Sequence, residues 1–516
     1  MTVSNRQSAN DLYISYHQSI IYLIISLQKA NCQKLNKPMN QDNSRRDFIK
    51  KTSLALGSFY IVPRHVLGGK GFIAPSDKLN ILSIGAGGKG ESDTLLAYNK
   101  GTENIVAIAD VDFGRAANTL KQLPENVKKY KDWREALEKE KNNIDAVTIS
   151  TPDHHHAAAT LAAMELGKHV YTQKPLTHNI KEARMLTEAA EKYKVVTQMG
   201  NQGSSNDGRR VLQEWFDAGL IGTVKRVHIW TDRPVWPQGI PTPMAKQEIP
   251  ADFPWDLWLG PASVRDFVPN AYHPFKWRGW WDFGTGAMGD MGCHLLDGVF
   301  KVLALTYPTE VQCSVSSIYT KDWVPDYYPD SCPPSSKVTF QYPKTAKNNS
   351  PIEIIWYDGG LKPDIPSEWG DEPLWTNGVI YEGTKGKMAN ELYNQNPTLL
   401  PKSRMTNADV MKVKPTLYRI ENQSAGHNYH WVKACKAGYG KLETSSPFDF
   451  AGPLTEMILM GNLAIRSYQY REGEGRAGKF PGRKKLFWDG KNMNVTNFDY
   501  ANQFVSRKYR DGWKLG

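Results

Sequence analysis

The sequence predicts an α/β protein built from two domains, and two patterns carry this prediction. Between residues 77 and 200, short apolar segments alternate with helical periodicity, which is typical of a doubly wound parallel sheet. In residues 201–516, strand-like segments such as 310–320 and 351–360 follow one another in the manner of a large, mostly antiparallel sheet with one covered face. A chain of 516 residues is long enough for both domains.

The composition is that of a globular protein, with 40% hydrophobic and 23% charged residues. The formal net charge of +11 is concentrated at the N terminus, since residues 1–75 hold ten Lys and Arg against three Asp and Glu. The rest of the sequence shows no clustered basic run, so it does not predict a nucleic-acid partner. The five cysteines have no CxxC spacing, so the sequence predicts neither a disulfide scaffold nor a metal site.

The N-terminal segment is interpreted as a leader. The stretch SRRDFIKK (44–51), followed by the apolar TSLALGSFYIV, resembles a twin-arginine export signal. Such signals begin within a few residues of the arginines, so Met39 is a better start than Met1, and residues 1–38 are interpreted as a mis-called extension. Residues 39–76 are then the signal and a linker. We expect export to the periplasm, with contact to a membrane only through a retained signal.

A glycine-rich turn follows the first apolar strand of the body. In the stretch GAGGKG, Gly85, Gly87 and Gly90 permit a tight turn and a close approach of backbone N–H groups to a pyrophosphate at the start of a helix. The next strand-like segment, 104–112, contains Asp110, twenty residues after Gly90. A carboxylate there can accept hydrogen bonds from both ribose hydroxyls and would repel a 2′-phosphate. The sequence therefore predicts a Rossmann domain that binds NAD rather than NADP.

Polar segments follow the later strands of the predicted parallel sheet. They are TPD, which starts at Thr151, QKP, which has Lys174 at its centre, and QMGNQ, which ends at Gln202. Ligands bind beyond the carboxyl ends of the strands in such sheets. Thr151, Pro152 and Gln202 are therefore further candidates for cofactor binding.

The histidine run at residues 154–156 invites a metal interpretation. Adjacent histidines point in different directions, and no carboxylate or cysteine spacing accompanies them. The sequence therefore favours histidines that contact the backbone or lie near the cofactor over metal ligands.

Taken together, these motifs resemble the Gfo/Idh/MocA family, named after glucose-fructose oxidoreductase, inositol dehydrogenase and rhizopine catabolism. The resemblance covers residues 77–300 motif by motif, including GDMGCHLLD (289–297), and the remainder by general layout. It implies that Lys174 lies by the nicotinamide and the reacting hydroxyl, although Gln173 stands where the family usually has a glutamate. It also implies that His156 lies near the cofactor.

Asp290 and His294 are four residues apart, so on a helix both side chains would leave the same face. The resemblance places such a pair in the cleft against the nicotinamide. Oxidising a secondary alcohol requires a base for the hydroxyl proton. We therefore expect His294 to accept the proton, Asp290 to orient the substrate or the ring, and Lys174 to stabilise the developing alkoxide. The sequence does not decide between His294 and Lys174 as the base, and Asp297 is interpreted as a structural partner.

Three functions are consistent with these features. Tryptophan and proline become frequent after residue 200, which suits a carbohydrate cleft, although each tryptophan taken singly is better explained as core. The first function is a NAD-dependent oxidoreductase that acts on a secondary alcohol of a sugar, cyclitol or glycoside. The second is a redox-neutral, NAD-dependent glycosidase, and the third is a non-catalytic carbohydrate-binding protein. The layout of the second domain also predicts a homo-oligomer, a dimer or a tetramer.

Overall fold

Two β-sheets and the helices packed on them make up residues 77–513 and 515, which are the residues described by the computed structural model. The predicted leader, with its twin arginines and the alternative start at Met39, lies outside the described residues. Within residues 77–513 and 515, no helix combines the length and the apolar character needed to cross a bilayer.

The strands of the first sheet are short and mostly buried. They are β1 (Asn80–Ile84), β2 (Asn104–Ala109), β3 (Lys128–Tyr130), β4 (Ala146–Ile149), β5 (His169–Thr172) and β6 (Thr197–Met199). All pairings are parallel, and the spatial order is β3-β2-β1-β4-β5-β6. The strand order reverses between β1 and β4, so the predicted doubly wound parallel sheet is confirmed.

Helices connect these strands and cover both faces of the sheet. They are α1 (Lys89–Tyr98), α2 (Ala117–Lys121), α3 (Trp133–Glu140), α4 (Asp153–Glu165) and α5 (Ile180–Tyr193). The start of α5 is fixed by a capping box, in which Asn179 accepts from the backbone of Glu182 and the Glu182 side chain accepts from the backbone of Asn179. Asp132 caps α3 by accepting from the Arg134 N–H.

The second sheet is larger. Its strands are β7 (Val224–Trp230), β8 (Glu310–Val315), β9 (Ser336–Tyr342), β10 (Ile352–Tyr357), β11 (Gly378–Gly383), β12 (Gly386–Glu391), β13 (Gln395–Leu400), β14 (Leu486–Asp489) and β15 (Asn494–Val495). The order is β13-β12-β11-β7-β10-β9-β8-β14-β15, and only the pair of β7 and β10 is parallel among the described strands of this sheet. The predicted large, mostly antiparallel sheet is therefore confirmed.

The helices of the second part of the chain differ in what they cover. They are α6 (Asp207–Asp217), α7 (Trp255–Leu259), α8 (Gly286–Val302), α9 (Ala408–Met411), α10 (His427–Ala437) and α11 (Phe448–Gln469). Helices α8 and α11 share one apolar core with the second sheet, in which Phe340 and Trp356 are fully buried. Helix α10 instead packs on the first sheet, where Trp431 joins the cluster of Ile81 and Tyr171.

Candidate active site

A cavity of about 500 Å³ runs along the carboxyl ends of the parallel strands. Its walls come from the turn between β1 and α1, from the ends of β2, β4 and β5, and from side chains between residues 257 and 278. The volume falls in the range of roughly 300–1,000 Å³ that is typical of small-molecule pockets. The cavity includes residues that follow β1 and β4, the two strands between which the strand order reverses. This is the expected place for a ligand site in a doubly wound sheet.

The predicted glycine turn forms one end of the cavity wall. Gly85 has a φ of +78°, a conformation that favours glycine. A Cβ on Gly90 would lie 2.1 Å from the Gly85 carbonyl oxygen, and one on Gly87 would lie 2.9 Å from Arg115 Cβ. Helix α1 begins after Gly88 without a side-chain cap, which leaves its first N–H groups without a side-chain acceptor, as at a phosphate site.

Asp110 follows β2 and lines the same cavity. Its carboxylate accepts from the N–H groups of Ala86 at 2.8 Å and Asp112 at 2.9 Å. Burial raises the pKa of Asp110, and these hydrogen bonds oppose that shift. A carboxylate has about four acceptor positions, so two remain for the hydroxyls of a ribose. The turn and Asp110 together fit the dinucleotide that the sequence predicts.

Thr151 and Pro152 also line the cavity, whereas His156 does not. The His156 ring lies behind them, with Nδ1 2.7 Å from the Pro175 carbonyl and Nε2 2.9 Å from the Thr151 carbonyl. Burial lowers the pKa of His156 to about 4, so the ring is neutral and donates to one carbonyl at a time. His156 therefore links the loops after β4 and β5 instead of facing the cavity.

Gln202 lies outside the cavity lining and next to Lys89, which is part of it. When its amide is oriented to satisfy both ends, the oxygen accepts from Lys89 Nζ at 2.9 Å and the nitrogen donates to the Gly200 carbonyl at 3.0 Å. Gln202 therefore contacts the cavity wall through Lys89 and does not line the cavity itself.

Gln173, in place of the family's usual glutamate, has a carboxylate as its partner. Its Nε2 donates to Asp93 Oδ2 at 2.8 Å, and Asp93 is fully buried on α1. The Ser150 hydroxyl donates to the same oxygen at 2.9 Å, and Lys89 pairs with Oδ1. Asp93 thus places a buried carboxylate one hydrogen bond away from position 173.

Lys174 is held by an ion pair on the cavity wall. Its ammonium donates to both Oδ1 and the backbone carbonyl of Asp290, each at 2.8 Å. Arg278 Nε donates to the same carboxylate oxygen at 3.2 Å. Burial opposes ionisation of Asp290, but the two positive charges outweigh it and hold its pKa well below the ordinary value. The three side chains form a charged cluster that the cavity touches.

His294 lies one turn after Asp290 on α8, and only Asp290 of the two lines the cavity. The His294 side chain is 5% exposed, and its ring meets Tyr393 edge-on with 4.7 Å between centroids. Its Nδ1 is buried without a hydrogen-bond partner among the described residues. Burial and the charge of Lys174 hold the pKa of His294 well below its usual value.

Asp153 is a second acid on the same wall, and the sequence did not single it out as a site residue. It is the first residue of α4, and its Oδ2 accepts from the Thr285 hydroxyl at 2.7 Å. Burial raises its pKa to about 7, against the hydrogen bond from Thr285 and the charges of Lys174 and Arg278. Thr285, Lys174 and Arg278 form no sequence motif with Asp153, so the sequence alone could not predict these contacts.

Aromatic side chains also line the wall of the cavity, and histidines pack against them. Trp258, Phe275 and Trp277 line the cavity, and Phe275 is 45% exposed. The Nε2 atoms of His154 and His155 lie 3.0 Å and 2.9 Å from the Trp258 carbonyl. The histidine run thus braces this wall, and no cluster of three or more metal-ligating side chains occurs in the described part of the chain.

The fold and the cavity define a dinucleotide-binding α/β protein with a second, sheet-bearing domain. A model described as "Oxidoreductase family, NAD-binding Rossmann fold" matches residues 79–201, and one described as "Oxidoreductase family, C-terminal alpha/beta domain" matches residues 217–347. The chain belongs to the Gfo/Idh/MocA family, and its first domain is the NAD-binding Rossmann domain of that family.

Two curated relatives match part of the chain. Inositol 2-dehydrogenase/D-chiro-inositol 3-dehydrogenase of Lacticaseibacillus casei is 31% identical over 156 residues, which are 30% of this chain and 44% of the relative. Levoglucosan dehydrogenase of Pseudarthrobacter phenanthrenivorans is 23% identical over 167 residues, which are 32% of this chain and 34% of the relative. The chain thus spans less than half the length of either relative.

A solved structure is similar over a longer stretch. It is an inositol dehydrogenase homologue from Azotobacter vinelandii, complexed with NADH and myo-inositol. The TM-score is 0.50 with 15% sequence identity, and the match covers 80% of this chain and 98% of that one. At this identity the likeness shows the fold.

Proposed function

We propose that the protein is a NAD-dependent oxidoreductase that acts on a secondary alcohol of a sugar, cyclitol or glycoside. The observation that carries the proposal is the position of Lys174 and Asp290 on the same cavity as the glycine turn and Asp110. A dinucleotide site and a polarising cation thus share one cavity. The names of the relatives, dehydrogenases of inositol and levoglucosan, support the same substrate class.

NAD, when bound, supplies the redox chemistry of such a reaction. The ammonium of Lys174 is fixed by Asp290 and can donate to the oxygen of the substrate alcohol. A preorganised donor of this kind stabilises negative charge that develops on that oxygen. Arg278 adds a second positive charge against Asp290 and limits the freedom of the carboxylate. The geometry thus supports Lys174 and Asp290 in their expected roles more directly than it supports His294.

The aromatic wall suits a carbohydrate. Aromatic rings stack on the C–H faces of sugars, and Trp258, Phe275 and Trp277 line the cavity beside the charged cluster. Charged and aromatic groups on one small cavity are typical of a site that orients a polyhydroxylated ring.

The proposal is tested on the full chain purified without added cofactor. We expect the denatured protein to release NAD(H), and the native protein to reduce bound or added NAD⁺ with members of a panel that contains myo-inositol and levoglucosan. NADP⁺ should serve less well, because Asp110 repels a 2′-phosphate. Release of phenol from aryl glycosides without net NADH would instead identify the redox-neutral glycosidase. A protein that neither contains nor binds NAD would be the carbohydrate-binding alternative.

We further propose export by the twin-arginine route and assembly into a homo-dimer or homo-tetramer. The motif with Arg45 and Arg46 supports export. Replacing both arginines by lysine should keep the full chain in the cytoplasmic fraction. The broad second sheet supports assembly, and sedimentation of the purified chain as a monomer would exclude it.

A further inference from the structure

A second, smaller cavity lies beside the start of α8, and we call it the small cavity. Its volume is about 30 Å³, enough for a water molecule or one small ion. The side chains that line it come from the start of α5, the loop before α8, the helix α11 and the C-terminal segment 504–507. It shares no lining residue with the active-site cavity, so the function proposed above does not account for it.

Two arginines line the small cavity, and neither has a carboxylate partner within 4.0 Å among the described residues. Arg466 forms no hydrogen bond or ion pair with a described residue, and its guanidinium lies over the ring of Phe504, 4.1 Å from the centroid. Arg507 reaches His178 Nδ1 and the Asp282 carbonyl at 3.4 Å each, which is beyond the usual hydrogen-bond range. Two guanidinium groups thus meet one cavity without a counter-charge in contact.

The acids whose charges act on these arginines have other partners. Asp282 Oδ2 pairs with Arg265 at 2.5 Å. Glu182 accepts from two backbone N–H groups and, at 2.7 Å, from the Tyr509 hydroxyl. Burial lowers the pKa of Arg466 to about 10 in spite of the charge of Asp282. Such partly desolvated cations are stabilised when an anion contacts them.

Neutral donors without a partner also line the small cavity. The indole Nε1 of Trp281 and the amide Nδ2 of Asn179 are buried and have no acceptor among the described residues. Both side chains are 5% exposed. The Asn462 amide nitrogen donates to the Thr285 carbonyl, so Asn462 Oδ1 is the acceptor that lacks a partner here. A buried donor without an acceptor is costly, and the unpaired groups at this cavity are mostly donors.

We propose that the small cavity is a binding site for one small inorganic anion of the size of chloride. Guanidinium and indole groups donate hydrogen bonds and accept none, so their ligand must be an acceptor. An anion meets this need and also compensates the two positive charges, whereas a water molecule supplies no charge. A water molecule could donate to Asn462 Oδ1, so it is the alternative occupant. Ser506, which also lines the cavity, is exposed, so ions can enter from solvent.

The bound ion would link parts of the chain that are far apart in sequence. Asn179 stands at the start of α5 on the first sheet, whereas Arg466 lies on α11, which packs with the second sheet. Because the cavity exists only when these parts are folded together, the ion binds the folded chain and stabilises it by mass action. This effect does not depend on the proposed oxidoreductase function.

The principal test is thermal unfolding of the full chain in sodium chloride and in sodium gluconate at equal ionic strength. Gluconate is too large for a cavity of about 30 Å³ and therefore gives the baseline. For the unmodified chain, we expect the melting temperature to rise by about 1–2 °C with each tenfold increase of chloride above its Kd.

Two variants remove donors from the small cavity, and each has a matched control outside it. Arg404→Gln is the control for Arg466→Gln, because Arg404 is also partly buried and makes no ion pair with a described residue. Trp369→Phe is the control for Trp281→Phe, because the buried Trp369 Nε1 also lacks a partner among the described residues. We expect Arg466→Gln to abolish the chloride-dependent shift and Trp281→Phe to weaken chloride binding ~10-fold or more. Both controls should respond as the unmodified chain does.

Crystals grown in sodium bromide identify the occupant, because bromide scatters anomalously and water does not. We expect an anomalous peak in the small cavity of the unmodified chain and none in Arg466→Gln. A water molecule in place of bromide, or a peak that Arg466→Gln retains, overturns the proposal. So does a bromide peak without a chloride-dependent shift in solution, which is binding at crystal concentration only. If Arg466→Gln does not fold, Trp281→Phe decides, and a chloride response equal to that of Trp369→Phe overturns the site.

Discussion

The two ends of the cavity are built in different ways. The cofactor end is made of backbone, with Gly85 at positive φ and Gly90 pressed against its carbonyl, and Asp110 follows within one βαβ unit. The chemical end is made of charged side chains that come from four separate places, among them Lys174 after β5 and Asp290 on α8. The glycine turn binds its ligand by close packing of the backbone, so an added Cβ atom disturbs it. The charged cluster depends on the balance of positive and negative side chains, so removing one charge changes its chemistry.

The largest expected effect lies at the chemical end. Lys174→Met should lower turnover by roughly 1,000-fold, the upper range for losing one preorganised donor to a developing oxyanion. NAD⁺ binding, measured by calorimetry, should remain within a few fold. Lys433→Met is the control, since Lys433 is an ion-paired lysine outside the cavity. Equal losses of turnover and NAD⁺ affinity would show that the two ends are not separable in this way.

The two acids of the chemical end should change stability in opposite directions. The pKa of Asp290 is lowered, so its stabilising effect is fully present above the unfolded value of 3.8 and is lost as the pH falls from there through the lower pKa of the folded state. The pKa of Asp153 is raised to about 7, so its ionisation costs stability as the pH rises through that value. At pH 8, Asp153→Asn should stabilise by up to roughly 4 kcal/mol and Asp290→Asn should destabilise by roughly 3 kcal/mol.

Urea denaturation at about pH 4 and about pH 8 measures these differences. The advantage of Asp153→Asn should nearly vanish at the lower pH, where the unmodified acid is neutral in the folded state. If both variants shift stability in the same direction at the higher pH, the pKa values of the two acids are not displaced in opposite directions by folding.

A smaller effect is expected at the cofactor end. Gly90→Ala places a Cβ against the Gly85 carbonyl, which should cost about 1–3 kcal/mol of strain and weaken NAD⁺ binding about tenfold or more. Gly114→Ala is the matched control, because its Cβ would meet only the Asp112 side-chain oxygen at 3.2 Å. Thermal melting and NAD⁺ titration of both variants make the comparison. Unchanged NAD⁺ binding by Gly90→Ala would mean that the backbone of the glycine turn moves to accept the Cβ atom.

Much of the cofactor end could be predicted from the sequence, because its determinants are local. The glycine turn needs particular residues at fixed spacing, and the alternating elements require a parallel sheet. The pairing of Asp153 with Thr285, 132 residues apart, left no signal in the sequence, nor did the approach of Arg278 to Asp290. Such contacts depend on how the two parts of the chain pack together. The sequence also did not predict the hydrogen bond from Gln173 to Asp93, because Asp93 resembles any acidic residue on a helix.

Helix α10 carries a practical consequence for dissecting the protein. Trp431 is completely enclosed by the apolar side of the first sheet, together with Ile81 and Tyr171. A fragment that ends at residue 200 would lack helix α10. Its exposed apolar surface would make the fragment prone to aggregation. Laboratory truncations should therefore retain residues 427–437, or supply them as a separate peptide, before the nucleotide affinity of the amino-terminal half is judged.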